Sequence, residues 1–161
     1  MRSVRIVLSW CHRDQRLKEA LLRDLLPALG LFRDLEVQWW QDSHLTCGEE
    51  FGPAIVGRFG EADFGLLLLT SAYFTRPFIR QHELPRFAGP TADKGSLPVA
   101  LGPLPSFGPH RDLGGIEQQL IFGQEQGSYA ELSGVKRTIF ANRLADSIRA
   151  RVLDLNGFVT L

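Results

Sequence analysis

Phe64-Gly65-Leu66-Leu67-Leu68-Leu69 is apolar at every position, so both faces of any strand it forms are apolar. A strand with one wet face alternates apolar and polar residues. An uninterrupted apolar run of this length instead reads as a central parallel strand covered by helices on both sides. Thr70-Ser71 ends the run, and Pro77 to Phe87 reads as the next helix, shortened or kinked by Pro85. Upstream, Val4-Arg5-Ile6-Val7-Leu8-Ser9-Trp10 is short and β-branched, and a polar break at His12-Arg13-Asp14 offers Asp14 as a helix cap. Leu17, Leu21, Leu25 and Leu29 then recur at spacing four with Leu22 and Leu26 beside them, the stripe of an amphipathic helix that Gly30 stops. Leu35 to Trp40 is a second strand, and the polar stretch Gln41 to Glu50 leads into a helix carrying Phe51, Ile55, Val56 and Phe59.

Beyond the central run the texture changes. Residues 89 to 134 hold nine of the 16 glycines and five of the nine prolines, with Leu97 to Leu101 the one clear strand. Val135 to Leu155 closes the chain as a helix. Its Phe140, Leu144, Ile148, Val152 and Leu155 keep spacings of three and four, and Arg143, Arg149 and Arg151 are expected on the wet side. Repeated strand–helix units around one fully apolar strand imply an α/β fold: a doubly wound parallel sheet of about five strands flanked by helices, forming one domain over residues 1–161. Ligands of such sheets bind beyond the carboxyl ends of the strands, which draws Trp10 to Arg13, Gln41 to Gly48 and Thr70 to Tyr73 toward one crevice.

Composition narrows the function classes. The 161 residues carry 18 basic and 18 acidic side chains, a formal net charge of zero, without the basic excess of a general nucleic-acid binder. The longest apolar run, Leu66 to Leu69, is far short of a membrane span, and Val4 to Leu8 is too short for a signal-peptide core, so a cytoplasmic location is expected. Cys11 and Cys47 have no paired spacing and read as free thiols, while His12, His44, His82 and His110 stand singly, so no metal is expected. The Gly-x-Gly-x-x-Gly turn of dinucleotide dehydrogenases is missing after the first strand, so no dinucleotide cofactor is expected.

Three blocks in order resemble Toll/interleukin-1-receptor (TIR) domains of the bacterial NAD-cleaving kind. Arg5-Ile6-Val7-Leu8-Ser9-Trp10-Cys11-His12-Arg13-Asp14 is similar to the family's first strand, with its Ser-aromatic end and short polar run. Asp42-Ser43-His44-Leu45-Thr46-Cys47-Gly48-Glu49-Glu50-Phe51 resembles the loop after its second strand. Ala62-Asp63-Phe64, the leucine run, Thr70-Ser71 and Phe78-Ile79-Arg80-Gln81-His82-Glu83-Leu84 resemble its third strand and the helix carrying its catalytic glutamate. The similarity covers residues 4 to 101, and Phe78-Ile79 stand where many relatives carry Trp or Tyr with Cys.

This resemblance implies a flavodoxin-like sheet and release of nicotinamide from NAD, giving ADP-ribose or a cyclic isomer, with Glu83 catalytic. It also implies substrate contacts among Trp10, Cys11, Arg13, Trp40, Asp42, Ser43, Leu45, Ser71 and Ile79. Further implications are self-association through TIR–TIR contacts, a fused or partnering sensor domain, and a role as effector of bacterial anti-phage defence.

The chemistry is compatible with one carboxylate. Nicotinamide leaves as a neutral pyridine, so no acid has to protonate it. The transition state is an oxocarbenium-like ribose, whose positive charge a nearby carboxylate stabilises. Each residue also has an ordinary reading. Glu83 can be a solvated helix carboxylate, Trp10 and Trp40 can pack at strand ends, Arg13 can sit in water at a helix start, and Asp42 and Ser43 can form turns. His82 points about 100° from Glu83 on a helix and is expected at the surface. Two other functions compete. A non-enzymatic TIR–TIR signalling or scaffold module shares the fold, and only the site separates it. A phosphoacceptor receiver domain needs acidic residues where Ser9-Trp10 and Thr70-Ser71 stand.

Overall fold

A computed structural model describes residues 1–41 and 51–158. Its elements in chain order are β1 (Arg2–Ser9), α1 (Gln15–Gly30), β2 (Leu35–Trp40), α2 (Phe51–Glu61), β3 (Phe64–Leu69), β4 (Gly95–Ala100) and α3 (Val135–Val152). The four strands form one parallel sheet in the order β2-β1-β3-β4. Register is tight along the pairs: Val7 lies opposite Trp40 on one side and Gly65 on the other. The chain winds outward in one direction from β1 to β2 and in the other from β3 to β4, the doubly wound α/β arrangement. The reversal of order falls between β1 and β3.

Alternation along the strands sorts the core into two layers. Val4, Ile6 and Leu8 of β1, with Phe64, Leu66 and Leu68 of β3, pack against Leu21 and Leu25 of α1 and Leu144 and Ile148 of α3. Val7 of β1 and Leu67 and Leu69 of β3 face the opposite way, toward Ile55 and Phe59 of α2 and the segment from Tyr73 to Ala88. β3 is buried at all six positions, as its apolar run requires.

Several local expectations are corrected. The Pro77-to-Phe87 segment is helical and is disturbed at Pro85 as expected, but it is not a regular α-helix throughout. Ile79–Glu83 is a π-turn in which the N–H of Leu84 reaches back five residues to the Ile79 carbonyl, and Leu84–Arg86 tightens into a 3₁₀ turn. Pro85 supplies the cause: it lacks the N–H that would bond the Gln81 carbonyl, and its ring crowds that carbonyl, so the preceding turn widens. Asp14 stands at the N-cap of α1 as expected but makes no side-chain capping bond; its carboxylate instead accepts the Thr70 hydroxyl at 2.6 Å. Gly30 is simply the last residue of α1, without a left-handed backbone. Arg149 is less exposed than Arg143 and Arg151 on the wet side of α3. It is half-buried, and its Nε donates to Asp34 Oδ1 at 3.0 Å, tying α3 to the entry of β2.

In the fifth-strand position the described residues show a single parallel bridge. Phe122 donates to the Pro98 carbonyl at 2.9 Å and accepts from the Ala100 N–H at 2.8 Å. Pro98 has no N–H to extend the ladder, and Gly123, at φ 83°, turns the chain away. No helix among the described residues is long and apolar enough to cross a membrane.

Candidate active site

The strand ends beside the order reversal carry the polar groups. Ser9 closes β1 and, two positions on from Val7, faces the α2 layer, where it is fully buried. A hydroxyl in such a place costs about 1–3 kcal/mol unless it is hydrogen-bonded. Ser9 Oγ lies 2.8 Å from the Tyr73 hydroxyl and donates to Glu83 Oε1 at 2.7 Å. Tyr73 is fully buried too, and Glu83 is 8% exposed. These three residues come from the end of β1, the turn after β3 and the π-turn, and they meet on the second core layer.

Thr70 anchors the Tyr73 turn. Its hydroxyl donates to Asp14 and accepts the backbone N–H of Tyr73 at 3.2 Å, joining the end of β3 to the start of α1. Burial pushes the Tyr73 phenol well above its ordinary pKa of 10.0, and the charge of Glu83 adds to that rise. Tyr73 is therefore a neutral phenol at physiological pH.

Glu83 opens onto a cleft of about 170 Å³. Trp10, Cys11 and His12 line it from the β1 end, Trp40 from the β2 end, Ile55 and Phe59 from α2, and Arg76, Phe78 and Ile79 from the segment leading to Glu83. Among the described residues the walls are mostly apolar, with one carboxylate and one guanidinium. Arg76 is held by its Nε, which donates to Cys11 Sγ at 3.3 Å. Trp10 packs in the first core layer, with its ring 4.6 Å from that of His12 and the Lys18 ammonium 4.2 Å from its centroid. Lys18, itself 6% exposed, also donates to the Gln41 side chain at 3.2 Å.

The cleft brings together five of the residues singled out from sequence: Glu83, Trp10, Cys11, Trp40 and Ile79. Arg13 and Ser71 are exposed and do not line it. Asp42, Ser43 and Leu45, with Cys47 and Gly48, lie outside the described residues. His82 is exposed, as expected, and its ring sits 4.9 Å from Phe78. Sequence reasoning assigned no site role to Ser9, Tyr73 or Arg76. For Ser9 a signal was present: alternation from Val7 places a lone hydroxyl on a core face, and such a group needs a partner. Arg76 carried no such signal, because it enters the cleft only through the turn after β3.

No group of three or more potential metal-binding side chains occurs among the described residues. Comparison with protein-family models, with curated proteins and with solved structures found no match.

Proposed function

We propose that this chain is a TIR-type domain that cleaves the nicotinamide–ribose bond of NAD with Glu83 as the catalytic carboxylate. The observation that carries the reading is the setting of Glu83: a buried carboxylate, hydrogen-bonded by Ser9, at the wall of a mostly apolar cleft beside the β1/β3 order reversal. Such reversals are where doubly wound sheets bind ligands. Trp10 and Trp40 offer flat surfaces for a pyridine or adenine ring, and Arg76 offers a cation for the diphosphate. Together these groups match a dinucleotide's chemistry: aromatic rings, phosphates and a ribose that becomes positive in the transition state.

In the proposed reaction the C1′–N bond breaks and its electron pair leaves with neutral nicotinamide. Water then adds at C1′ and loses a proton, giving ADP-ribose; an internal nucleophile adding there gives a cyclic isomer. Glu83 stabilises the cationic ribose between these events, and an apolar surround strengthens that attraction. Self-association and control by a sensor domain belong to the same reading, with anti-phage defence as the context that the resemblance implies.

The test is chromatography with mass analysis of NAD incubated with concentrated protein. Release of nicotinamide in step with ADP-ribose or its cyclic isomer is expected. Intact NAD at high protein concentration would instead favour the non-enzymatic assembly module.

A further inference from the structure

Reading Glu83 as the catalytic carboxylate leaves Ser9 and Tyr73 without a role, yet their geometry defines a direction. A serine hydroxyl has one proton, and that of Ser9 goes to Glu83 Oε1 at 2.7 Å. The 2.8 Å contact between Ser9 and Tyr73 must then have Ser9 as acceptor and the Tyr73 O–H as donor. The raised pKa of Tyr73 is consistent with this, since a phenol that stays protonated always has the proton to give. The chain therefore runs one way, from Tyr73 O–H to Ser9 O–H to the Glu83 carboxylate. All three residues are buried, so water competes little for these bonds.

We propose that Tyr73 and Ser9 are positioning residues, a two-hydroxyl relay that fixes the orientation of the Glu83 carboxylate at the cleft wall and stabilises its negative charge. The proposal rests on the reading of Glu83 as catalytic for its consequence on turnover, but its effect on the carboxylate is independent of any substrate. A hydrogen bond donated to a carboxylate favours the charged form, so removing it makes Glu83 easier to protonate.

Among the described residues, the titratable groups near Glu83 besides Tyr73 are Cys11 and His12 beyond β1, Arg76 in the turn after β3, and Arg80 and His82 on its own π-turn. Of the described side chains, α2 presents Ile55 and Phe59 to the cleft and β2 presents Trp40, none of them titratable. Arg76 engages Cys11, Arg80 engages Asp112 at 2.8 Å, and His82 is exposed. Ser9→Ala and Tyr73→Phe leave all of these groups in place, so a shift at Glu83 reports the relay.

The experiment follows the Glu83 carboxyl carbon by ¹³C NMR through a pH titration of the full chain, without nucleotide. Glu83→Gln assigns the signal. Ser9→Ala is expected to raise the protonation midpoint by about one pH unit, a tenfold change in proton affinity, as for loss of a hydrogen bond to a charged group. Tyr73→Phe should move it the same way by less, because it weakens the Ser9 donor without removing it. In NAD turnover, Ser9→Ala should lower kcat by about tenfold with KM within about twofold, and the acid limb of the pH profile should move up with the NMR midpoint.

A midpoint unchanged by Ser9→Ala overturns the proposal. This near-isosteric change decides the matter alone if Tyr73→Phe fails to fold. A raised midpoint in a protein that never releases nicotinamide upholds the relay's action on Glu83 and rejects the NAD reading, so the two failures are distinct.

Discussion

The ring of Phe87 rests on the backbone of Gly65: a Cβ placed at Gly65 would lie 2.5 Å from the ring edge. Gly65 is in the central strand, and Phe87 closes the segment that carries Glu83, so this contact seats the π-turn on the sheet. Gly65→Ala should cost roughly 1–3 kcal/mol, the usual range for overpacking a core, and lower the melting temperature by several degrees. Phe87→Leu added to Gly65→Ala should recover part of the loss. A melting temperature unchanged by Gly65→Ala would show that the ring is not seated there.

A second prediction concerns the pair joining α3 to β2. The Arg149 guanidinium beside Asp34 holds that carboxyl below its ordinary value of 3.8, first through their hydrogen bond and then through charge. A carboxylate with a depressed folded-state pKa adds stability above its unfolded value, and that stability is lost as pH falls through the folded value. Asp34→Asn should therefore lower the urea midpoint at pH about 7, and the gap from wild type should close as pH drops below about 4. Both side chains are part-exposed, so the gap should be small and shrink in salt. A gap that is constant from neutral to strongly acid pH would contradict the assignment.

The two cleft tryptophans should separate when stability and NAD kinetics are measured on the same variants. Trp10 is 8% exposed and belongs to the first core layer, so Trp10→Ala should lose roughly 3–5 kcal/mol of stability. Trp40 is only half-buried, at the end of β2. Trp40→Ala should cost less stability and still raise KM for NAD, by roughly the 1–3 kcal/mol of a lost base–aromatic stack. Unchanged KM in Trp40→Ala would remove it from the ligand contacts.

Arg76 and Arg13 differ in a way that kinetics can read. Arg76 lines the cleft and is fixed by Cys11, whereas Arg13 is exposed beyond it. Arg76→Gln should raise KM for NAD by about tenfold, as for loss of a charge-assisted hydrogen bond, and should affect nicotinamide riboside, which lacks the diphosphate, much less. Arg13→Gln should leave both within about twofold. Equal losses in the two variants would point to a general electrostatic effect.

Strands and helices were legible because their cause is local. The unbroken apolar run Phe64–Leu69 could only be a covered strand, and the leucines of α1 repeat at helical spacing. That Trp40 and Glu83 reach one cleft was legible, from the place of Trp40 at a strand end and of Glu83 in the third family-like block. The Ser9–Tyr73–Glu83 cluster was not, because its bonds join residues 64 and 74 positions apart, and no local pattern encodes such a meeting. The π-turn escaped for a subtler reason. Pro85 signalled a disturbed helix, but whether a helix kinks, ends or widens depends on how Ile79, Leu84 and Phe87 pack beneath it. A full fifth strand was expected from length and repetition, while Pro98 and Gly123 reduce it to the Phe122 bridge.

Glu83→Gln tests the central claim most directly, because it preserves size and hydrogen-bonding capacity while removing the charge meant to stabilise the ribose cation. The measurement is nicotinamide release from NAD by wild type and Glu83→Gln at equal, high protein concentration, with melting curves for both. We expect nicotinamide release from wild type and a loss of at least about a hundredfold in a folded Glu83→Gln protein, the scale seen when one charge-stabilising group is removed from an active site. Wild-type-like release by the folded variant would contradict the account.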